Sequence, residues 1–287
     1  MKFVIINNQL IEAENAQISV QDRGFRFGDG VFETISVLGG VPYQFDWHVE
    51  RLRKGLHAIR INCNLHTLNE QCRKLLKENA VADGILRIQV TRGIGSIGYL
   101  PDSDHPQAGA TIVIETLPMP KVPTQDISLW LSSYRKITPS SLPVQYKLCQ
   151  GLNSTLARIE AQEQQCYEAL LINHAEELCE TASGNLFWYK DETIYTPALS
   201  CGALEGSMRA SVMRLSPYPV QEVKENAEAL KDAQEVFITN AVWKVLNVKE
   251  LKPAQMRWDT RKVTDNLQKR IADDMADYSK NNATRWS

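Results

Sequence analysis

The sequence predicts an α+β fold made of two domains. Apolar runs typical of strands alternate irregularly with helical periodicities, and few of them are joined by the regular helix crossovers of a doubly wound sheet. One stretch, 117–126, carries three prolines, which disfavour a helix and a central strand alike. We therefore predict a small N-terminal domain over 1–118, a linker over 119–127 and a large C-terminal domain over 128–287.

The N-terminal domain begins with two predicted hairpins. Their turns are expected at Asn7-Asn8 and at Gly39-Gly40, because these residue types accept the backbone angles of tight turns. Asp46 is placed to cap a first helix, and Thr67 with Glu70 forms a capping box for a second. Both helices carry apolar residues at helical spacing: Val49, Leu52, Leu56 and Ile59, then Leu68, Cys72, Leu75 and Leu76. Two strands, I-L-R-I-Q-V-T and A-T-I-V-I-E-T, follow with a glycine-rich loop between them.

The C-terminal domain mixes strands and helices. The pattern predicts a strand at I-S-L-W-L-S-S, a helix over 154–165, a strand at E-A-L-L-I-N and one long strand at L-F-W-Y-K-D-E-T-I-Y-T-P. A helix from Gly206, a helix over 225–230 and the strand E-V-F-I-T-N come next. An amphipathic helix closes the chain, with Val263, Leu267, Ile271 and Met275 on one stripe.

Composition excludes several classes of function. The chain has 287 residues and a net charge of -2, so no basic excess indicates nucleic acid or an anionic membrane surface. No apolar stretch reaches the length of a membrane span, and the first residues do not resemble a secretion signal. The six cysteines form no C-x-x-C and no cluster with histidine. We expect a cytoplasmic protein with reduced thiols and no metal site.

Lys147 is the first candidate functional residue. It lies in the otherwise uncharged stretch V-Q-Y-K-L-C-Q-G-L. A lysine among apolar neighbours loses its proton more easily, which leaves a neutral amine able to attack an aldehyde. Taken alone, Lys147 would be interpreted as a surface lysine whose stem lies along apolar groups. The residues downstream change that interpretation.

Glu180 is the second candidate, inside E-T-A-S-G-N-L-F-W. A carboxylate of this kind keeps the ring nitrogen of a pyridine cofactor protonated. The ordinary alternative is a solvated glutamate at the end of a strand. Ser183, Gly184 and Asn185 form a small polar turn that permits close approach of a ring edge.

Two further stretches are suited to a phosphate group. Gly206 and Ser207 begin a predicted helix, and backbone amides at a helix N-terminus bind anions. Thr239 and Asn240 end a predicted strand, and Arg51 offers a guanidinium for bidentate contact. An ordinary turn and a solvated arginine are the alternatives for each alone. An amine, a carboxylate and two phosphate-binding stretches together indicate pyridoxal 5'-phosphate.

These motifs resemble one family in their order along the chain. G-F-R-F-G-D-G-V-F-E-T, D-W-H-V-E-R-L, the lysine, E-T-A-S-G-N-L-F-W, Y-T-P-A-L-S-C-G-A-L-E-G-S-M-R and F-I-T-N-A resemble the class IV, or fold type IV, pyridoxal-phosphate enzymes. The match runs from about residue 5 to about residue 248. It implies a small N-terminal α+β domain, a large C-terminal domain with a pseudo-barrel, a small-molecule amino substrate and a homodimer.

The resemblance also implies roles for individual residues. Lys147 would form the Schiff base and move protons, and Glu180 would pair with the pyridine nitrogen. Leu204 would pack under the ring, and the phosphate would be held by Arg51, Ser207, Met208 and Asn240. Met208 stands where the family often has threonine, so only its backbone N–H can contribute there.

Within the family, the sequence is most similar to aminodeoxychorismate lyases. Those enzymes often carry R-G-x-G-x-R-G-Y, and the loop from Arg92 to Tyr99 follows this pattern except at Ile97. Leu152 replaces a tyrosine usual in branched-chain aminotransferases, and Ile97 and Tyr99 replace the carboxylate trap of D-amino acid aminotransferases. The implied reaction releases pyruvate and 4-aminobenzoate on the route to folate. The candidate substrate-binding residues are Phe32, Arg26, Arg92, Ile97 and Tyr99.

Two alternatives remain open from the sequence. The first is an aminotransferase of D-amino acids or of branched-chain type that uses Lys147 and Glu180 in two half-reactions. The second is a non-catalytic binding protein that keeps the fold.

Overall fold

A computed structural model describes residues 1–101 and 109–286 of the chain. Part of the predicted glycine-rich loop, at 102–108, lies outside the described residues. The chain forms two compact units. The first comprises Met1–Pro120, Tyr146–Gln150 and the end of the chain from Met275, and the second comprises Lys121–Gln145 and Gly151–Asp274. No helix among the described residues is both long and apolar enough to span a membrane.

The first unit is built on one antiparallel sheet. Its strands are β1 (Phe3–Ile6), β2 (Gln9–Glu12), β3 (Gly30–Leu38), β4 (Val41–Pro42), β5 (Gly84–Thr91) and β6 (Thr111–Leu117). They lie in the order β2-β1-β6-β5-β3-β4. Both predicted hairpins are present: Asn7 and Asn8 have φ of 48° and 71°, and Gly39 and Gly40 have φ of 57° and 78°. These positive angles explain why asparagine and glycine occur at the turns.

Three α-helices begin in the first unit: α1 (Arg23–Phe27), α2 (Phe45–Ala58) and α3 (Leu68–Glu78). The apolar stripes of α2 and α3 pack with Val31, Ile35 and Ile88 of the sheet in one core. A short 3-10 helix covers Ala13–Asn15. Asp46 does not cap α2, because the helix begins at Phe45 after Gln44 and Asp46 lies inside its first turn. Thr67 is the N-cap of α3, but its hydroxyl accepts from Gln71 Nε2 at 2.7 Å and not from the backbone.

The second unit contains nine strands: β7 (Ile127–Leu131), β8 (Glu168–Ile172), β9 (Leu178–Thr181), β10 (Asn185–Lys190), β11 (Thr193–Pro197), β12 (Val220–Val223), β13 (Glu235–Asn240), β14 (Lys244–Lys252) and β15 (Met256–Arg257). Strands β10, β13, β14, β7, β8 and β9 pair in that order, and β9 pairs again with β10. This closes a six-stranded ring, which confirms the predicted pseudo-barrel. Its interior is apolar and includes Leu129, Leu170, Leu186, Ile238 and Val248.

The helices of the second unit are α4 (Leu152–Glu163), α5 (Ser207–Leu215) and the first part of α6 (Lys262–Trp286), with 3-10 turns at Leu199–Cys201 and Ala227–Leu230. The predicted long strand L-F-W-Y-K-D-E-T-I-Y-T-P was wrong as one element. It folds as the hairpin β10–β11, because Asp191 and Glu192 adopt φ of 49° and 58°. The helix predicted over 225–230 is the 3-10 turn alone.

Candidate active site

Lys147 lies beside the first residues of β3 in the first unit. The Phe32 N–H donates to the Lys147 carbonyl at 2.9 Å, and the Cys149 N–H donates to the Gly30 carbonyl at 2.9 Å. These two bonds fix the backbone at the lysine and two residues after it. The Lys147 Nζ lies 4.6 Å from the centroid of the Phe32 ring. The structure therefore brings together two predicted site residues from distant parts of the sequence.

Arg51 is held by a buried carboxylate that the sequence did not single out. Its Nε and Nη2 donate to the two oxygens of Glu33 at 2.7 and 2.6 Å. Burial would raise the pKa of Glu33, but the charges of Arg51 and His48 and their hydrogen bonds lower it to about 2. Glu33 is therefore ionised, and this bidentate pair fixes the plane of the Arg51 guanidinium.

His48 completes the cluster around Glu33. Its Nδ1 lies 2.6 Å from Glu33 Oε2. Burial lowers the pKa of His48, with smaller contributions from the charges of Arg51 and Lys147, although Glu33 opposes the shift. A carboxylate can only accept, so Nδ1 carries the proton in this contact.

The predicted substrate-binding arginines are already used within the first unit. Arg92 donates to both oxygens of Asp29 at 2.7 and 3.0 Å and to the carbonyls of Ile59 and Arg60 at 2.8 and 2.9 Å. Arg26 donates to the carbonyls of Val20 and Gly95. Both guanidinium groups therefore order loops in this structure.

Ile97 and Tyr99, the other predicted substrate contacts, have exposed fractions of 84% and 87%. The loop that carries them is held to α1, because Arg23 donates to the carbonyls of Gly98 and Tyr99 at 2.7 and 2.8 Å. The Phe27 and Tyr99 rings lie 5.5 Å apart. These two side chains are displayed at the surface of the first unit.

Arg87 is a candidate that the sequence analysis missed. Its Cζ lies 4.5 Å from the centroid of the Phe32 ring, the same ring that Lys147 approaches. The two cationic groups are thus no more than about 9 Å apart, the sum of those two distances. Phe32 pairs with Gln89, so these two side chains point to the same face of the sheet. Arg87 precedes Gln89 by two positions on β5 and shares that face, because alternate residues of a strand do so. The signal was the single charged residue of β5.

The second unit places three predicted residues in one row across its sheet. Glu180 on β9 pairs with Asn185 on β10, and Asn185 pairs with Thr239 on β13. Residues directly opposite one another on neighbouring strands point to the same face. All three are buried. The row brings a carboxylate, an amide and a hydroxyl to one side of the ring of strands.

Glu180 is fixed at both oxygens. Its Oε2 accepts from the Leu204 N–H at 2.9 Å and from Asn185 Nδ2 at 3.3 Å. Its Oε1 lies 2.5 Å from Lys136 Nζ, a partner that the sequence did not predict. Asn185 Nδ2 also donates to the Leu204 carbonyl at 2.8 Å, so Leu204 is tied to the same row.

Helix α5 begins beside this row. Its N-cap is Gly206, and its first residues, Ser207 and Met208, are buried. A Cβ added at Gly206 would lie 2.0 Å from Asn185 Oδ1, so only glycine permits this approach. The predicted anion-binding end of the helix therefore lies next to Asn185.

The Thr239 hydroxyl is a donor available to a ligand, and the backbone packs closely around it. Thr239 Oγ1 is buried and has no hydrogen-bond partner among the described residues. A Cβ at Gly184 would lie 2.7 Å from the Thr239 carbonyl. Asn240 orders the adjacent turn, since its Nδ2 donates to the Ser183 carbonyl at 3.0 Å and its Oδ1 accepts the N–H groups of Val242 and Trp243. The Ser183 hydroxyl bonds Glu168.

These donor sets fit a phosphorylated pyridine aldehyde. The first unit supplies an amine and an oriented guanidinium, and the second supplies a buried carboxylate, an unpartnered hydroxyl and a helix N-terminus. A six-stranded antiparallel sheet in one unit and a closed ring of strands in the other are the architecture expected of a fold type IV pyridoxal-phosphate enzyme.

Comparison with known proteins gives the same class. Residues 30–251 match the profile of the amino-transferase class IV family, so the chain belongs to that family. It is 28% identical over 272 residues to an aminodeoxychorismate lyase of Bacillus subtilis (strain 168), covering 92% of each chain. It is 30% identical over 252 residues to a D-alanine aminotransferase of Bacillus licheniformis, covering 85% of this chain and 87% of the relative.

A solved structure shows the same fold with a related cofactor. The branched-chain amino acid aminotransferase of T.th., crystallised with pyridoxamine 5'-phosphate, has a TM-score of 0.87 to this chain. It is 22% identical and is covered over 96% of its length, with 97% of this chain matched. Fold type IV and pyridoxal phosphate as cofactor are thus confirmed for the family to which this chain belongs.

Proposed function

We propose that this protein is a pyridoxal-phosphate lyase that converts 4-amino-4-deoxychorismate into 4-aminobenzoate and pyruvate, a step toward folate. The main observation in support is that the Lys147 amine and the Arg87 guanidinium both lie close to the Phe32 ring. An amine that attaches the cofactor thereby lies close to a cation that can pair with a substrate carboxylate. The similarity to an aminodeoxychorismate lyase over 92% of the chain supports this outcome.

Bound pyridoxal phosphate would draw electrons away from the amino-bearing carbon of the substrate. The chain supplies attachment, orientation and proton transfer. Lys147 would attach the aldehyde through Nζ and then carry protons on that atom. Glu180 would accept from the ring nitrogen, and Arg51, the Ser207 and Met208 N–H groups, Thr239 and the Asn240 turn would surround the phosphate.

The reaction itself is an elimination. A proton leaves the amino-bearing ring carbon, and the bond between the neighbouring ring carbon and the ether oxygen breaks. The three-carbon group leaves with that oxygen and takes up a proton to become pyruvate. Formation of an aromatic ring drives the step, so the enzyme mainly has to orient the substrate and move protons.

Arg87 is the substrate-binding residue that the geometry favours. Its contacts with Glu115 and Gln89 are both 3.3 Å long, and its side chain is 32% exposed. They use Nε and Nη2, so Nη1 has no protein partner among the described residues. Arg92, by contrast, has four contacts of 3.0 Å or less. A carboxylate can therefore bind Arg87 without breaking a strong ion pair.

An aminotransferase is the second candidate. The specific observation that favours it is that two of the three arginines considered for the substrate carboxylates have partners within the first unit. 4-Amino-4-deoxychorismate carries two carboxylates, whereas Arg26 and Arg92 are bound within the first unit. The weakly held guanidinium of Arg87, with two contacts of 3.3 Å, matches an amino acid with one carboxylate. The 30% identity to a D-alanine aminotransferase supports this alternative.

The substrate dependence of the purified holoenzyme separates the two candidates. One reaction contains 4-amino-4-deoxychorismate without any keto acid, and others contain D-alanine or leucine with 2-oxoglutarate. Formation of 4-aminobenzoate and pyruvate in the first reaction supports the lyase. Turnover only in the reactions with 2-oxoglutarate contradicts the lyase and supports the aminotransferase. A Lys147→Ala variant is the control in every reaction.

We also propose that the protein is a homodimer. The first unit displays several large apolar side chains whose exposed fractions exceed 70%: Val20, Phe25, Ile97, Tyr99 and Leu100. The side chains of Arg23 and Arg26 tie the loop 95–99 to α1 and to Val20, because their guanidinium groups donate to backbone carbonyls. The residues therefore form one ordered apolar surface, which is typical of a protein interface.

A further inference from the structure

Lys136 is the cation paired with Glu180 among the residues that the structure describes. Its Nζ lies 2.5 Å from Glu180 Oε1, and the two side chains are only 12% and 7% exposed. A shielded pair of this kind interacts far more strongly than a solvated one. The neighbouring Arg135 differs, because it pairs with Glu176, whose side chain is 61% exposed.

Both the backbone and the side chain of Lys136 are held in place. Its N–H donates to the Ile172 carbonyl at the end of β8 at 2.9 Å. Asn153 Nδ2 donates to the carbonyl of the preceding residue, Arg135, at 3.0 Å. The stem of Lys136 packs along Gly202, where an added Cβ would lie 3.3 Å from Lys136 Cγ. The ammonium group is therefore delivered to Glu180 by an ordered side chain.

The hydrogen bonds of Glu180 leave one place for a ligand. A carboxylate offers about four acceptor positions, two on each oxygen. Oε2 already accepts from Leu204 and Asn185, whereas Oε1 contacts Lys136 alone among the described residues. A further donor therefore fits at Oε1, the oxygen that Lys136 holds.

We infer that Lys136 is a positioning residue for the cofactor: it holds and orients the Glu180 carboxylate, and its charge contributes to the electrostatic environment of the pyridine ring. This inference rests on the proposed role of Glu180 at the ring nitrogen. A carboxylate shared by an ammonium and a ring N–H is held by two cations. Loss of the ammonium leaves the buried region one charge more negative.

Other titratable groups near the pair do not replace Lys136. Burial raises the pKa of the Cys179 thiol, which lies within electrostatic range of both Glu180 and Lys136, and burial raises the pKa of Cys201 to about 11. Both thiols are therefore uncharged at neutral pH. Glu177, which lies within electrostatic range of Cys179, accepts from Asn173 Nδ2 at 2.8 Å, and Lys224 lies within electrostatic range of Cys201.

The test is a pH titration of the visible absorption of the cofactor in the holoenzyme. The variants are Lys136→Met and Lys136→Gln, which remove the charge, and Lys136→Arg, which keeps it. We expect the pKa of the chromophore, the cofactor bound to the lysine, to be about one unit higher in both neutral variants. These variants lack a nearby positive charge that favours deprotonation of the chromophore. Lys136→Arg should return the titration to that of the wild type. Arg135→Met is the matched control and should titrate like the wild type.

The outcomes separate this inference from the proposed function. Wild-type protein without a chromophore on Lys147 overturns both. A normal wild-type chromophore with an unshifted pKa in the neutral variants overturns the inference alone, as does an equal shift in Arg135→Met. If neither neutral variant retains cofactor, restored colour and titration in Lys136→Arg support the inference, and their absence overturns it.

Discussion

At the scale of single residues, Glu33 is the best example of a charge that the fold must compensate. It is 1% exposed and lies within hydrogen-bond distance of both Arg51 and His48. An unpaired carboxylate in this position would be strongly unfavourable, since burial penalises the charged form. Arg51 and His48 reverse that penalty and hold the pKa near 2.

Replacing Glu33 by Gln should reduce the free energy of unfolding by about 3 kcal/mol at pH 7. The folded pKa of Glu33 lies below its usual value of 4.5, so its contribution is complete above that value. The contribution is lost as the pH falls from about 4.5 toward 2, and the wild type and variant should converge. Urea denaturation across this range measures the difference.

Glu50→Gln is the control for this experiment. Glu50 pairs with Arg53, and both side chains are half-exposed or more. Such pairs contribute less than about 1 kcal/mol. A pH-independent difference between Glu33→Gln and the wild type would contradict the ionised pairing of Glu33.

Arg87 carries the prediction for substrate binding. Arg87→Met should lower kcat/KM by about tenfold or more through a higher KM, because a charge-assisted contact with the substrate carboxylate is lost. Arg53→Met, an exposed arginine on α2, should leave both constants unchanged. Steady-state kinetics on the accepted substrate provide the measurement. An unaltered KM in Arg87→Met would remove Arg87 from the substrate site.

The sequence could indicate Lys147, Glu180 and Arg51 because each stands in a local motif. It could not indicate Arg87, whose significance comes from the sheet: β3 and β5 bring Phe32 and Arg87 together although 55 positions separate them. Nor could it show that Asp29 holds Arg92. Local patterns give residue types, whereas partners depend on strand register.

At the scale of elements, helix α5, which we propose binds the phosphate, begins against Asn185, and Asn185 pairs with Glu180. Gly206→Ala would place a Cβ against Asn185 Oδ1, which should displace the amide that contacts both Glu180 and Leu204. We expect a loss of about 1 to 3 kcal/mol in stability and weaker retention of cofactor. Thermal unfolding with and without added pyridoxal phosphate measures both effects.

Gly98→Ala is the matched control, because a Cβ there meets nothing within 4 Å. Its melting temperature and cofactor retention should equal those of the wild type. Normal cofactor retention in Gly206→Ala would mean that the α5 N-terminus is not part of the cofactor site.

Several elements followed from the sequence because their signals are local. Strands β5, β6 and β13 and helices α2, α3, α4 and α6 lie where periodicity predicted them, within a few residues. The β10–β11 hairpin was missed because Asp191-Glu192 is a less common turn pair than Asn-Gly. Helix α2 begins without a side-chain cap, so its start carried no such signal.

At the scale of the whole molecule, the sequence pattern predicted two α+β domains, and the family resemblance implied a pseudo-barrel in the larger one. It gave no sign that Tyr146–Gln150 would belong to the first unit, since that placement depends on backbone bonds to Gly30 and Phe32 more than 110 positions away. Such long-range pairing has no local signature.

The exposed apolar surface of the first unit carries the prediction for assembly. The triple variant Ile97→Asp, Tyr99→Asp and Leu100→Asp should convert a dimer into a monomer, because three charges would be buried at the interface. Light scattering after size-exclusion chromatography reports the mass. Ile159→Asp, on α4 with an exposed fraction of 48%, is the control and should remain dimeric. A monomeric wild type would contradict the proposed interface.

The central claim is that the amine of Lys147 carries the cofactor, and borohydride reduction of the holoenzyme tests it most directly. Reduction fixes the cofactor to its lysine, and proteolysis with mass spectrometry locates the attachment. The account predicts a single pyridoxyl group on the peptide that contains Lys147, and none in Lys147→Ala. A label on another lysine, or no label on the yellow wild-type enzyme, would contradict it.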